Sequence, residues 1–241
     1  MADPQENLAT SIADELGMYH AYAASPAPGK WQRKIGDASG GIGNADLSRW
    51  PISESDVGRL PVGDEPDEGR LVLYARIDTL YGNVPFFVTH LNSAWGQSGP
   101  RQEQVVAEFM RQKDQDGYPP ILTGDLNAPP DADDVRCLVG KAPPSLRGLV
   151  LGDAWAYARP LSPGRMWDRR NPHVAATFEP DTRIDYVFVG LPDSSGQGQV
   201  LDAELVGTER RTELASLFET QVPAAVVLGA TVPCRPPSLT R

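Results

Sequence analysis

Apolar positions change their period several times along the chain, and each change marks an element. Leu8, Ile12 and Leu16 recur every four residues, one stripe of a helix. Asp3 is a good N-cap, Pro4 takes the favoured first position, and Glu6 stands where a capping box places its carboxylate. Gly17 ends the run, so the pattern predicts a helix over Asp3–Gly17. Ser25–Gly43, rich in Gly, Pro and Lys, reads as a loop, and Leu47–Ile52 as a short strand. Leu71–Ile77 and Val84–Leu91 read as two strands joined by a turn at Tyr81-Gly82-Asn83. Helical spacing returns over Arg101–Lys113, with Val105, Val106, Phe109 and Met110 inward. Pro119 and Pro120 introduce the strand Ile121-Leu122-Thr123, and a short helix is expected after Asp131. Arg183–Val189 is mostly apolar, as a strand buried on both faces should be. Leu201–Val206 and Ala224–Leu228 read as the last two strands.

Strands outnumber helices and neighbours are often joined as hairpins. The expected class is α+β: a four-layer α/β sandwich, two packed, mostly antiparallel sheets with helices outside. Length refines this little, since 241 residues suit one large domain or two small ones, and no repeat or linker divides the chain. A single domain over 1–241 is expected, with 207–241 a divergent tail. No stretch approaches the roughly 18 apolar residues of a membrane span. Cys137 and Cys234 are too few for a disulfide framework or a cysteine-rich zinc site. His20, His90 and His173 are too scattered for a histidine cluster. A net charge of -10 argues against a nonspecific nucleic-acid coat protein, although a local basic groove fits within an acidic total.

Three strand ends carry polar residues that a plain sheet does not need. Phe86-Phe87-Val88-Thr89-His90-Leu91-Asn92 ends an apolar run in a histidine, whose alternative is a packed or exposed ring. In Ile121-Leu122-Thr123-Gly124-Asp125-Leu126-Asn127, the acid and the amide are two apart, so an extended backbone would project both to one side. Such a pair suits a hard cation with a bound phosphate, or else a plain Asx-turn. Thr182-Arg183-Ile184-Asp185-Tyr186 sets an acid against an apolar strand, where an unpaired carboxylate is costly and a His or Arg partner is expected.

The set His-Leu-Asn, Gly-Asp-Leu-Asn and Arg-Ile-Asp-Tyr, in this order and spacing, resembles the endonuclease/exonuclease/phosphatase superfamily. The resemblance runs from about residue 3 to 206 and takes in Leu47-Ser48-Arg49-Trp50-Pro51, Arg101-Gln102 and Asp153-Ala154-Trp155. It implies the four-layer fold and phosphoester hydrolysis with Mg²⁺ or Mn²⁺. His90 would then hydrogen-bond a phosphate oxygen, Asp125 and Asn127 would position water and phosphate, and Asp185 would orient a general histidine. Asp125 is the implied metal ligand, and Asn92, Arg101 and Arg183 are implied to bind substrate.

The chain departs from the family in four places. An apolar-Asn-apolar strand and a strand ending in Gln-Glu are expected upstream, and Gln5-Glu6 matches the second by letters only. The first strands are therefore expected to be missing, and metal binding to be weak. A Ser-Asp-His near the end is replaced, in the best register, by Thr220 and Gln221, and glutamine is no acid or base. True divergence and a shifted frame near Arg210 both account for this. Asp46 occupies a strand position that is usually apolar. His173 lies before the Asp185 strand and reads as a surface or substrate-loop residue.

The resulting expectation is a metal-dependent phosphodiesterase or phosphatase with impaired turnover. The alternative is an inactive relative that binds a phosphorylated ligand. Phospholipid, inositol phosphate, small phosphodiester and nucleic acid remain open as substrates. The loops Asn92–Pro100 and Arg159–Thr177, with Trp95, Trp167, Arg165, Arg169 and Arg170, are the places to choose among them. A monomer is expected, cytoplasmic if Met1 is the true start and secreted if a signal peptide precedes it.

Overall fold

The computed structural model describes residues 7–26, 28–29, 32–33, 36, 41–61, 69–92, 102–113, 117–177 and 179–206. Its elements run α1 (Leu8–Leu16), β1 (Tyr19–Ala24), β2 (Gly43–Ser48), β3 (Ile52–Arg59), β4 (Leu71–Thr79) and β5 (Gly82–His90). Then come α2 (Gln102–Gln112), β6 (Ile121–Asp125), α3 (Asp133–Leu138), β7 (Leu151–Asp153), α4 (Ala154–Ala158), α5 (Pro172–Ala175) and β8 (Asp185–Gly190). Six strands form one sheet in the order β3-β4-β5-β6-β8-β7, and β1 pairs with β2 in a separate antiparallel ribbon. Within the large sheet only β5–β6 is parallel, with α2 in the crossover.

Side-chain alternation sorts the sheet into two faces. Val72, Tyr74, Phe87, Leu122, Tyr186 and Phe188 form a cluster with Val106, Phe109 and Met110 of α2 and with Val135 and Leu138 of α3. On the other face Leu71, Leu73, Ala75 and Ile77 meet Ala21 and Ala23 of the ribbon. Val187 and Val189 pack with Ala154. The order helices, six-stranded sheet, two-stranded sheet and α1 gives the expected sandwich. Strand β8 is buried on both faces from Tyr186 to Gly190 because β6 and β7 flank it and both sheet faces are covered.

Several expectations need correction. Asn7, not Asp3, caps α1: its side chain accepts from the Thr10 amide, and residues 1–6, with Pro4 and Glu6, lie outside the described ones. The stripe Leu8, Ile12 and Leu16 does not face the described core; Leu8 is 76% exposed and Ala13 is the buried residue of the helix. Leu47–Ile52 is not one strand but straddles β2 and β3, broken at Trp50-Pro51 where proline cannot donate to a ladder. The hairpin is tighter than predicted, since Thr79 faces Gly82 and only Leu80 and Tyr81 intervene. Residues 201–206 form no strand, and Ala224–Leu228 lies outside the described residues.

Candidate active site

Three neighbouring strands stop or start on the three predicted polar residues. His90 is the last residue of β5, Asp125 the last of β6, and Asp185 the first of β8. His90 is the register partner of Asp125 across the parallel pair, and Asp125 that of Asp185 across the antiparallel one. The three residues therefore form one row along a single end of the sheet. The His90 ring nitrogen Nε2 lies 3.5 Å from Asp125 Oδ2, and both side chains are partly open to solvent.

Two local features hold this row. Gly124 adopts φ +145°, and a Cβ there would sit 1.8 Å from the Thr89 carbonyl oxygen, so glycine is required where β5 and β6 converge. Asn127 is the only described non-glycine residue with positive φ, at 49°. Its backbone N–H donates to Asp125 Oδ1 at 2.7 Å, and its side-chain Nδ2 to the Leu91 carbonyl at 2.9 Å. Asp125 and Asn127 thus meet through an Asx-turn rather than through extended alternation. The turn binds one carboxylate oxygen and leaves the other facing His90. Asparagine is one of the few side chains that takes this left-handed conformation readily, which suits it to the position.

Electrostatics single out the two acids. Burial pushes the Asp125 carboxyl up to about 6, against lowering by the Asn127 amide and by the charge of Arg70. Asp185 is pushed up to about 7, mainly by burial and further by the negative charge of Asp125. The partner expected for Asp185 was a His or Arg. Across the sheet it faces another acid instead, and it makes no hydrogen bond or ion pair among the described residues.

Oxygen donors of this kind are what Mg²⁺ or Mn²⁺ takes. Two carboxylates whose charge is disfavoured by burial, and at Asp185 by the charge of Asp125 as well, fit a dication, which would lower both pKa values. Among the described residues no cluster of three or more His, Cys, Asp or Glu forms a complete metal cage. An ion held by Asp125 and Asp185 would therefore draw further ligands from water and substrate oxygens.

The remaining predicted residues are placed differently. Asn92 follows the row, and its backbone N–H donates to Gln102 Oε1 at 2.8 Å. Arg101 lies outside the described residues. Arg183 is only 4% exposed; its guanidinium bonds Asp153 through Nη1 at 3.1 Å and Nη2 at 2.6 Å and stacks over the Tyr186 ring. Asp153 also caps α4 through the Trp155 and Ala156 amides, so this pair fixes the start of β8 from inside the fold. His173 lies in α5.

Arg70 was not singled out from the sequence. It lines a small cavity with His90, Asn44 and Ser25, and its charge reaches Asp125. Its signal was present: counting back from the hairpin turn sets Leu71 opposite His90, and Arg70 is the residue before it.

Residues 2–205 match the family model described as Endonuclease/Exonuclease/phosphatase family. Among solved structures, the chain is similar to an endonuclease/exonuclease/phosphatase family protein from Leptotrichia buccalis C-1013-b, with TM-score 0.58 and 14% identity over 86% of this chain and 72% of that one. It is similar to the human Nocturnin catalytic domain with bound sulfate, with TM-score 0.53 and 16% identity over 83% and 67%. A 3′ phosphatase from Neisseria bound to a product DNA hairpin gives TM-score 0.56 and 17% identity over 84% and 77%. At such identities these likenesses concern the fold. No curated protein matches the chain in sequence.

Proposed function

The chain belongs to the endonuclease/exonuclease/phosphatase family, and from that premise we propose that it hydrolyses a phosphoester bond at the row formed by His90, Asp125 and Asp185. The observation that carries this reading is the alignment of one imidazole and two acids of raised pKa on adjacent strand ends. The His90 ring, with Nε2 beside Asp125, can donate a hydrogen bond to a phosphate oxygen. Asp125, pinned by the Asn127 turn, positions the phosphate and the attacking water. Asp185, the register partner of Asp125, would hold the cation with it and help to orient the attacking water. Arg70 adds a positive charge on the same side, and Arg183 acts as a positioning residue through Asp153. A divalent cation held by Asp125 and Asp185 would neutralise charge on the pentavalent phosphate.

Turnover is proposed to be weak, because Asp185 has no histidine beside it among the described residues. The same observation favours a second reading, in which the chain binds a phosphorylated ligand without turning it over. Phospholipid, inositol phosphate, small phosphodiester and nucleic acid all fit the first reading, and the chain is proposed to act as a monomer. Among the described residues no helix is long and apolar enough to cross a membrane.

The test is Mg²⁺-dependent hydrolysis of bis-(p-nitrophenyl) phosphate. Hydrolysis that is lost in Asp125→Ala supports the enzyme reading. No hydrolysis, or hydrolysis that survives the substitution, overturns it.

A further inference from the structure

We infer that the cleft between the 162–170 loop and Leu205 is a second anion-binding subsite, which takes a non-scissile phosphate of the substrate. The substrate part of this inference rests on the phosphoesterase reading above; the anion site itself does not. The cleft encloses a cavity of about 650 Å³, with Trp155 and Gly164 in its wall and Arg165, Arg169, Arg170 and Asp181 around it.

The wall is built rather than loose. Asp153 caps α4 at the Trp155 amide and is itself held by Arg183, which fixes the indole from below. Trp155 Nε1 donates to the Ser162 carbonyl at 2.8 Å, which ties the loop to the ring. Gly164 adopts φ +59° against that ring, and a Cβ there would approach Nε1 to 2.5 Å. Only glycine lets the loop lie this close.

The charge around the cleft is unlike that of the chain as a whole. Asp168 is engaged by Arg170, whose Nε lies 3.0 and 2.8 Å from its two carboxylate oxygens. Asp181 is engaged by Arg169, through the backbone N–H at 3.2 Å and Nε at 3.4 Å. Arg165 is exposed and makes no hydrogen bond or ion pair among the described residues. Three guanidinium groups therefore meet two carboxylates, on a protein whose net charge is -10. A planar guanidinium with uncommitted donors is the side chain best shaped for a phosphate.

The chain also couples this cleft to the catalytic row. Trp167 and Thr182 form an antiparallel bridge, so the loop is stitched to the segment that leads into β8. Asp181 in the cleft wall is four residues before Asp185, which limits the distance between their backbones to about 14 Å even for a fully extended chain. A ligand that reaches both places carries two anionic groups. The inferred substrate class is therefore a phosphoester with a second phosphate, rather than a compound whose only charge is the scissile group.

Two measurements on the full chain separate the claims. The first titrates inorganic phosphate into ¹⁵N-labelled protein and follows the Trp155 indole and Arg165 Nε–H signals. Saturable shifts of both, lost in Arg165→Ala and partly kept in Arg165→Lys, are expected. Unmoved signals, or an unchanged response in Arg165→Ala, would overturn the subsite whether or not the chain has turnover. The second compares kcat/KM for a thymidine dinucleotide with and without a 5′-phosphate. The wild-type chain should prefer the phosphorylated form by about tenfold, the effect of roughly 1.4 kcal/mol of contact energy, and Arg165→Ala should lose that preference. Equal kcat/KM for both in the wild type would overturn the substrate assignment while leaving the anion site standing. Hydrolysis of neither dinucleotide would likewise overturn the assignment, and with it the enzyme reading if bis-(p-nitrophenyl) phosphate is also untouched.

Discussion

His90 and Asp125 are register partners across the single parallel strand pair among the described residues, with Nε2 3.5 Å from Oδ2. Thirty-five residues separate them in sequence, and the crossover through α2 brings them together. Both side chains are partly open to solvent, so the proposed reading gives them a part in chemistry rather than in packing.

Separate substitution should show this. His90→Ala and Asp125→Asn are each expected to lower kcat by about 10²–10⁴-fold, the usual worth of a positioned proton donor or acceptor. Residues acting as one unit lose together, so the double variant should be little worse than either single one. Thermal melts should move by only a few degrees, since no core contact is removed. Multiplicative losses in the double variant would mean that the two side chains act independently.

The raised acids tie cation binding to pH. With Asp125 up to about 6 and Asp185 up to about 7, both hold protons in the folded chain at pH values where ordinary carboxylates have lost them. Mg²⁺ or Mn²⁺ must displace those protons, so affinity should climb between pH 5.5 and 7.5 and binding should release protons. Calorimetry in two buffers of different ionisation enthalpy measures the number released. Asp125→Asn should lower both the affinity and the proton count. A cation affinity independent of pH would show that these carboxylates are not its ligands.

What the sequence made legible, and what it hid, follows from where each residue faces. The row was visible as polar residues capping apolar runs, because strands β5, β6 and β8 are buried enough to be read by hydrophobicity. Strand β3, Ile-Ser-Glu-Ser-Asp-Val-Gly-Arg, was not predicted, because it lies at the sheet edge with six of its eight residues exposed and no apolar face to betray it. Its acids serve instead to pair with Lys113 of the α2 segment. The α1 stripe misled for the opposite reason: the periodicity is real, but the described core lies behind Ala13. Arg183 was expected to bind substrate, and its ion pair was not foreseen because Asp153 is thirty residues away and no local pattern announces it. Asp185 was expected to have a His or Arg partner, since spacing along the chain does not reveal that strand pairing sets it against Asp125.

That ion pair itself is testable. Removing one member of a buried pair leaves the other charge without its partner and typically costs about 3–5 kcal/mol. Arg183→Met should therefore lower the urea midpoint strongly, and Arg183→Lys should recover only part of the loss, because an ammonium cannot replace the two-pronged contact with Asp153. Adding Asp153→Asn to Arg183→Met should be less damaging than the two effects summed. Simple additivity would contradict the coupling.

Gly124 offers a purely steric prediction. A Cβ at this position would meet the Thr89 carbonyl oxygen at 1.8 Å, and the φ of +145° is one that side chains avoid. Gly124→Ala must therefore move β6 away from β5 or unfold their junction. A loss of about 3 kcal/mol or more in denaturant stability is expected, together with loss of turnover, since Asp125 is the next residue. A variant with wild-type stability would mean that the strand end relaxes at no cost, and that its close approach is not required.

Asp46 carries a pH dependence of stability that is separable from the active site. It is 4% exposed on β2, its Oδ2 has no hydrogen-bond partner among the described residues, and burial pushes its carboxyl up to about 8. The sign follows from linkage: the folded chain keeps this proton while the unfolded chain releases it near the ordinary value of about 4. The stabilising contribution is complete below about pH 4 and is lost as pH rises toward 8. Asp125 and Asp185 act in the same direction with midpoints near 6 and 7, so Asp46 is isolated by comparing the wild type with a variant that leaves both of them in place. Each pH unit corresponds to at most about 1.4 kcal/mol, or roughly 3–6 °C of melting temperature for a chain of this size. Asp46→Asn, which cannot ionise, should therefore melt above the wild type at pH 8 relative to their difference at pH 5, with a flatter profile between 7 and 8. Parallel melting curves across that range would show that Asp46 reaches a partner or water and is ionised in the folded chain.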